Sequence, residues 1–348
     1  MQRKSITIRG VKVGDGAPII VQSMTNTRTD DIGATVAQIK RLEVAGCEVV
    51  RLAVPDMAAA RAFGVIREQV ELPMVADIHF DYRLALEAVA AGADKIRINP
   101  GNIGDDEKVR AVVDACARKG LPIRIGVNGG SLEKDIVAKY GHTPEAMVAS
   151  ALHHIEILNR FDFDHICLSV KSSSVPDTVK AYRLLHERTG YPLHLGVTEA
   201  GTAYMGTIKS AIGIGSLLLD GIGDTIRVSL TDDPVEEIKA ARGILQSIGL
   251  RRFGPEIISC PTCGRCKIDL IALTEEVERR LAGSAKEVTV AVMGCAVNGP
   301  GEARSADFGI AGGDGEGLLF AHGEVIGKVP MDCLVDELMK LLTEEKSA

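Results

Sequence analysis

Tryptophan is absent from the 348 residues, and aromatic side chains together make up 3% of them. A chain this poor in aromatic faces lacks the stacking platforms on which proteins hold single-stranded nucleic acid. It also lacks the excess of positive charge that nucleic acid and anionic membranes attract, since the formal net charge is -7. No 18 apolar residues run without interruption, and the basic start "MQRKSITIRG" is not followed by an apolar stretch of secretory type. The expectation is a cytoplasmic, unanchored protein with no nucleic-acid or membrane partner. In that setting the eight cysteines stay reduced and serve metal binding or catalysis rather than a disulfide frame. Cys47, Cys116, Cys167 and Cys333 lie in apolar surroundings and are expected to be small core residues.

Short β-branched runs begin at Ile19, Glu48, Met74, Lys95, Ile123, His165, Leu193 and Thr225. Between them lie segments of helical period, such as "DYRLALEAVAAG" and "DDEKVRAVVDACARKG", that open on Asp and close on Gly as capped helices do. Eight strand-helix units in series predict an α/β fold with an N-terminal (β/α)8 TIM-type barrel. An open doubly wound sheet is the alternative, but no G-x-G-x-x-G follows the first strand. The segment "SITIRGVKVGDG" reads as a hairpin plugging the barrel floor, and residues 129 to 164 as a lid-like excursion. After "LRRFGPEI" the rhythm changes to a Gly-rich stretch with helices at about 267–281 and 332–345, a smaller C-terminal α/β domain. The boundaries expected are 1–250 and 251–348.

Barrel enzymes place their chemistry at the C-terminal ends of the strands. Those positions here hold Arg51, Asp77, His79, Arg97, Asn99, Arg124, Asn128, Lys171, Thr198, Glu199, Arg227 and Ser229. Pairs two apart face the same side of a strand, which in a closed barrel is the lumen. Burying Arg51, Arg97, Arg124, Lys171 and Arg227 together requires a compensating anion, and a phosphate or diphosphate suits guanidinium forks and a lysine. Glu199 is the candidate for proton transfer; the cations lower its pKa and burial raises it.

The tail carries "CPTCGRC" at Cys260–Cys266 and "GCAVNGPGE" with Cys295 and Glu302. Thiolates at this spacing reach one metal centre, and the absence of a second Cys or His pair favours iron-sulfur over structural zinc. Cys260, Cys263, Cys266 and Cys295 would form a closed four-thiolate cluster. With Glu302 in place of Cys266 the site would be open, because a carboxylate is more readily displaced than a thiolate. Two other classes stay in view. A zinc-stapled barrel transferase of the pterin-binding kind makes "NGPGE" incidental, and a non-catalytic iron-sulfur carrier or sensor leaves the five strand-end cations without a purpose. Radical S-adenosylmethionine chemistry is a weaker rival, since its C-x-x-x-C-x-x-C near the start of a barrel is absent.

The series "VQSMTNT", "VRLAVP", "ADIHFDYRLA", "KIRINPGNIG", "IRIGVNGGSL", "SVKSS", "LGVTEAG" and "IRVSLT", followed by "SCPTCGR" and "GCAVNGPGEA", resembles the 4-hydroxy-3-methylbut-2-enyl diphosphate synthase family in its compact two-domain bacterial form. The resemblance covers nearly the whole chain. It implies reductive opening of 2-C-methyl-D-erythritol 2,4-cyclodiphosphate in the methylerythritol phosphate route to isoprenoids. It further implies a [4Fe-4S] cluster, electrons from flavodoxin or ferredoxin, and a homodimer whose site is shared between chains. By resemblance, three irons fall to Cys260, Cys263 and Cys295 and the fourth to Glu302, which yields to the substrate. Glu199 is then the acid-base residue, and the other strand-end residues bind the diphosphate and ring. Cys266 departs from the family motif and is expected to be a spectator, carried off the turn by a helix starting at Lys267.

Overall fold

The computed structural model describes residues 2–295, 301 and 303–344. Two compact units divide at Arg251 and Arg252. The "NGPG" turn and Glu302 fall outside the described residues, apart from Gly301.

In the first unit, β1 (Ser5–Ile8) and β2 (Val11–Gly14) form an antiparallel hairpin. Its two turn residues, Arg9 and Gly10, both have positive φ (45° and 83°), the backbone that a two-residue hairpin turn requires. Eight parallel strands follow: β3 (Ile20–Met24), β4 (Val49–Ala53), β5 (Met74–Asp77), β6 (Lys95–Ile98), β7 (Ile123–Asn128), β8 (Ile166–Lys171), β9 (His194–Leu195) and β10 (Thr225–Ile226). Their order is β8-β7-β6-β5-β4-β3-β10-β9. A parallel bridge from Leu168 to Leu193 joins the two ends of that order, closing the ring. Ile6, Ile8 and Val13 of the hairpin pack on Ile20, Val49, Val75 and Cys167, so the hairpin seals the floor as expected.

The helices α1 (Ile32–Val44), α2 (Met57–Arg67), α3 (Tyr82–Ala90), α4 (Pro100–Ile103), α5 (Asp106–Lys119), α6 (Lys134–Tyr140), α7 (Pro144–Asn159), α8 (Val175–Arg188), α9 (Ala203–Leu219) and α10 (Pro234–Ser247) alternate with these strands. Asp31, Asp56, Asp81, Asp105 and Asp233 cap α1, α2, α3, α5 and α10 through their carboxylates. Each such cap contributes about 1 kcal/mol. The inner helix faces bury side chains such as Ile39, Leu42, Phe63 and Ile66 completely, at about 1.5–3 kcal/mol apiece.

The second unit is a five-stranded sheet of β11 (Glu256–Ser259), β12 (Thr289–Met293), β13 (Phe308–Ala311), β14 (Glu316–Ala321) and β15 (Glu324–Pro330) in sequential order. The first three strands are parallel and the last two antiparallel to their neighbours. α11 (Leu270–Leu281) and α12 (Leu334–Glu344) share one core with Val290, Val292, Phe308, Ile310 and Leu319. Two expectations fail here. The helix after the cysteine turn starts at Leu270, not Lys267, because Asp269 accepts from Ala272 N and fixes the N-terminus. Cys333 is exposed rather than buried, since it lies in the 3-10 turn before α12 and points away from the core. Cys47, Cys116 and Cys167 are buried.

Candidate active site

Alternation along the strands brings the candidate side chains into the lumen. A cavity of about 130 Å³ at the C-terminal end of the barrel is lined by Arg51, Asp77, His79, Arg97, Arg124, Asn128, Ser169, Lys171, Thr198, Arg227 and Ser229. Ten of these are sequence candidates. Ser169 is the addition, and the period of two that selects Lys171 on β8 selects it as well.

Asp77 is the hub of one half. Arg97 Nη1 donates to Asp77 Oδ1 and to His79 Nε2, both at 3.1 Å, and Arg51 Nε lies 3.7 Å from Asp77 Oδ2. Burial pushes the Asp77 carboxyl up, but Arg51 and Arg97 outweigh it and hold the pKa at about 2. Arg97 fits because position 126 is glycine: a Cβ there would stand 2.6 Å from Arg97 Nε. In the other half, Arg227 is held by Glu237, a buried residue of α10. Arg227 Nε and Nη2 donate to its two carboxylate oxygens at 3.3 and 3.2 Å. Glu237 also accepts from Ser23 Oγ at 3.1 Å and from Leu230 N at 3.1 Å. Between the halves stands Met24, whose thioether accepts from Arg51 Nε and Nη2 at 3.1 and 2.9 Å. Neither Glu237 nor Met24 is a sequence candidate, because one sits on a helix and the other has no charge.

Arg124 and Lys171 are buried and, among the described residues, have no carboxylate within ion-pair distance. Burial, reinforced by the neighbouring guanidiniums, lowers the pKa of both, that of Lys171 well below the usual lysine range and that of Arg124 to about 10. Cationic pressure of this kind is relieved when an anion enters. A carboxylate, phosphate or diphosphate would meet forked donors from four walls, Arg51, Arg97, Arg124 and Arg227.

Two candidates lie elsewhere. Asn99 turns its carbonyl oxygen onto Gly101 N at 3.2 Å and caps α4, so it shapes the loop and does not line the cavity. Glu199 is exposed, against the expectation of burial among the cations. Its backbone has φ of 53°, and its side chain lines an adjoining groove of about 580 Å³ with His142, Ser172–Ser174 and Asp177. Asn128 and Thr198 border both spaces, so the groove opens into the cationic cavity. The excursion after β7 supplies Gly129–Leu132 and Thr143 to this groove. Glu133 anchors that excursion to buried His154 of α7, Oε1 to Nε2 at 2.7 Å.

In the second unit, parallel pairing of β11 with β12, Ser259 opposite Val292, carries Cys260 and Cys295 to the same end of the sheet. Gly294 N donates to Cys260 Sγ at 3.2 Å, as amides do toward the sulfurs of iron-sulfur centres. Cys263 is exposed, and hydrogen bonds from Arg265 lower its pKa, favouring the ligating thiolate. Cys266 is half-buried: its Sγ donates to the Ile268 carbonyl at 3.2 Å and, like Cys260, it packs against the core that α11 shares. Among the described residues no three His, Cys, Asp or Glu side chains are gathered closely enough to hold a metal ion. Three thiols free of disulfides at one sheet end nevertheless match the donor chemistry of an iron-sulfur cluster.

Comparison with known proteins agrees with this architecture. Residues 3–242 match the model of the GcpE TIM-barrel domain, and residues 256–344 that of the GcpE protein C-terminal domain. The chain is 58% identical over 347 residues to the 4-hydroxy-3-methylbut-2-en-1-yl diphosphate synthase (flavodoxin) of Geobacter sulfurreducens, covering 98% of each. It is 58% identical over 342 residues to the enzyme of the same name from Clostridium perfringens, again covering 98% of each. Among solved structures, dihydropteroate synthase from Stenotrophomonas maltophilia is similar with a TM-score of 0.51 and 16% identity, over 70% of this chain and 97% of that one. The N-acetylneuraminic acid synthetase of Leptospira borgpetersenii gives 0.51 and 12%, over 81% of this chain and 98% of that one. Those two likenesses show the barrel fold alone. With both of its units matched by family models and relatives alike over nearly their full length, the chain belongs to the GcpE family.

Proposed function

We propose that the chain is an iron-sulfur oxidoreductase of isoprenoid biosynthesis that converts 2-C-methyl-D-erythritol 2,4-cyclodiphosphate to 4-hydroxy-3-methylbut-2-enyl diphosphate. The observation that carries this reading is the buried pair Arg124 and Lys171, cations without a carboxylate partner among the described residues, at the mouth of a barrel. The diphosphate fills that deficit, with Arg51, Arg97 and Arg227 closing on its oxygens. Because those three are already held by Asp77, Met24 and Glu237, little side-chain freedom is lost on binding. His79, Asn128, Thr198 and Ser229 supply polar contacts to the ring, and Ser169 joins them at the cavity wall.

Glu199, in the groove that adjoins the cavity, delivers a proton to the hydroxyl oxygen that leaves as water. A [4Fe-4S] cluster held by Cys260, Cys263, Cys295 and Glu302 would relay the two electrons, and the Glu302 carboxylate would be its exchangeable ligand. Flavodoxin, named in the relatives' own description, or ferredoxin is the donor. The hydrogen bond from Cys266 Sγ to the Ile268 carbonyl supports its role as a spectator. The working assembly is a cytoplasmic homodimer with the site shared between chains.

The test is binding of the cyclic diphosphate to wild-type, Arg124→Met and Lys171→Met proteins, followed by anaerobic turnover with reduced flavodoxin. Tight binding by the wild type, lost at least a hundredfold in each variant, is expected together with formation of the linear diphosphate. Equal binding by all three would contradict it.

A further inference from the structure

Beneath the cavity the barrel carries a second polar layer. The middle of such barrels is ordinarily filled by branched apolar side chains. Here Lys95 of β6 is fully buried, and its Nζ has a single acceptor, Gln22 Oε1, at the long distance of 3.4 Å. Gln22 Nε2, Arg124 Nε and His194 Nε2 are buried in the same unit without a partner.

The groups around Lys95 can be taken wall by wall. β3 presents the amide of Gln22, β4 Arg51, β7 Arg124 and β8 the Cys167 thiol, which burial keeps protonated. From β9 comes His194, bonded through Nδ1 to Thr225 Oγ1 of β10 at 2.7 Å. The strand partner of Lys95 on β5 is Val75, and Asp77 above it is engaged by Arg51 and Arg97. Among the described residues no carboxylate is bonded to Lys95. A buried ammonium without a counter-ion is strongly unfavourable, and an anion bound close by would relieve that cost.

We propose that Lys95 serves the diphosphate site without touching it: held beneath Arg51 and Arg124, its charge is neutralised by the bound diphosphate and strengthens the affinity for it. The inference rests on the function proposed above. It gives the pocket a fixed positive floor behind the guanidiniums that make contact. Burial lowers the pKa of the Lys95 ammonium to about 8.

Calorimetric titration of the anaerobic holoenzyme with 2-C-methyl-D-erythritol 2,4-cyclodiphosphate tests this, on wild type, Lys95→Met and Lys95→Gln, with thermal melts without substrate. Both variants should bind about tenfold more weakly, the order expected when one unit charge out of contact with the anion is removed at an effective dielectric near 20. Their kcat at saturation should be unchanged, and both should melt at a higher temperature than wild type because the uncompensated ion is gone. Unaltered affinity, a lowered melting temperature in both, or failure of both to fold would overturn the proposal by making Lys95 a packing residue. A wild type that does not bind the cyclic diphosphate would overturn the functional reading itself, and this inference with it.

Discussion

At the residue scale the site is a set of cations whose orientation is fixed by few neighbours. Sequence alternation was sufficient to find most of the cavity wall, since Arg97, Arg124, Asn128, Lys171, Arg227 and Ser229 all occupy lumen positions. It did not separate side chains that face the cavity from those spent on local structure, which is why Asn99 stands out as a helix cap. Nor did it register that the chain turns outward at Glu199, where φ of 53° leaves the strand direction. Exposure in the groove suits a proton carrier more than a binding group. Glu199→Gln should therefore leave the dissociation constant of the cyclic diphosphate within about twofold of wild type and lower kcat by about a hundredfold or more, within the range of general acid-base contributions. Calorimetry and single-turnover kinetics read the two quantities separately, and normal turnover would remove Glu199 from the mechanism.

Between elements, glycines and one helix carboxylate do the positioning. A Cβ at Gly196 would collide with Lys171 Nζ and stand 2.7 Å from the Arg227 carbonyl oxygen. Gly196→Ala is accordingly expected to displace Lys171, to cost about 1–3 kcal/mol of stability through overpacking, and to weaken diphosphate binding more than tenfold. A binding isotherm together with chemical denaturation checks both. Glu237 ties α10 to β3 through Ser23 and to β10 through Arg227. Glu237→Gln leaves a nearly buried guanidinium unpaired, so the free protein should lose about 3 kcal/mol. Saturating cyclic diphosphate should restore more of the melting temperature in this variant than in wild type, because the anion compensates the freed charge. An equal shift in both proteins would show that Arg227 does not meet the diphosphate. The hairpin floor and the capped helices were legible because turn and cap chemistry is local. The contribution of α10 was not, because "DDPVEEIKA" gives no sign of which glutamate faces inward.

For the whole molecule, the eight strand-helix units and the change of rhythm after residue 250 made the barrel and the smaller sheet domain readable from sequence. The C-x-x-C spacing that suggests a metal centre is likewise a property of the chain. What spacing could not convey is that parallel β11 and β12 bring Cys260 and Cys295 to one sheet end while the Cys266 thiol donates to the Ile268 carbonyl. A reductive reaction requires both parts, an anion clamp and an electron source. Their joint action is tested most directly by electron paramagnetic resonance of the anaerobically purified, reduced protein, with iron and sulfide analysis, before and after addition of the cyclic diphosphate. The account predicts four irons per chain and a spectrum that changes when the cyclic diphosphate binds. Zinc without iron, or a four-iron spectrum indifferent to the cyclic diphosphate, would contradict it.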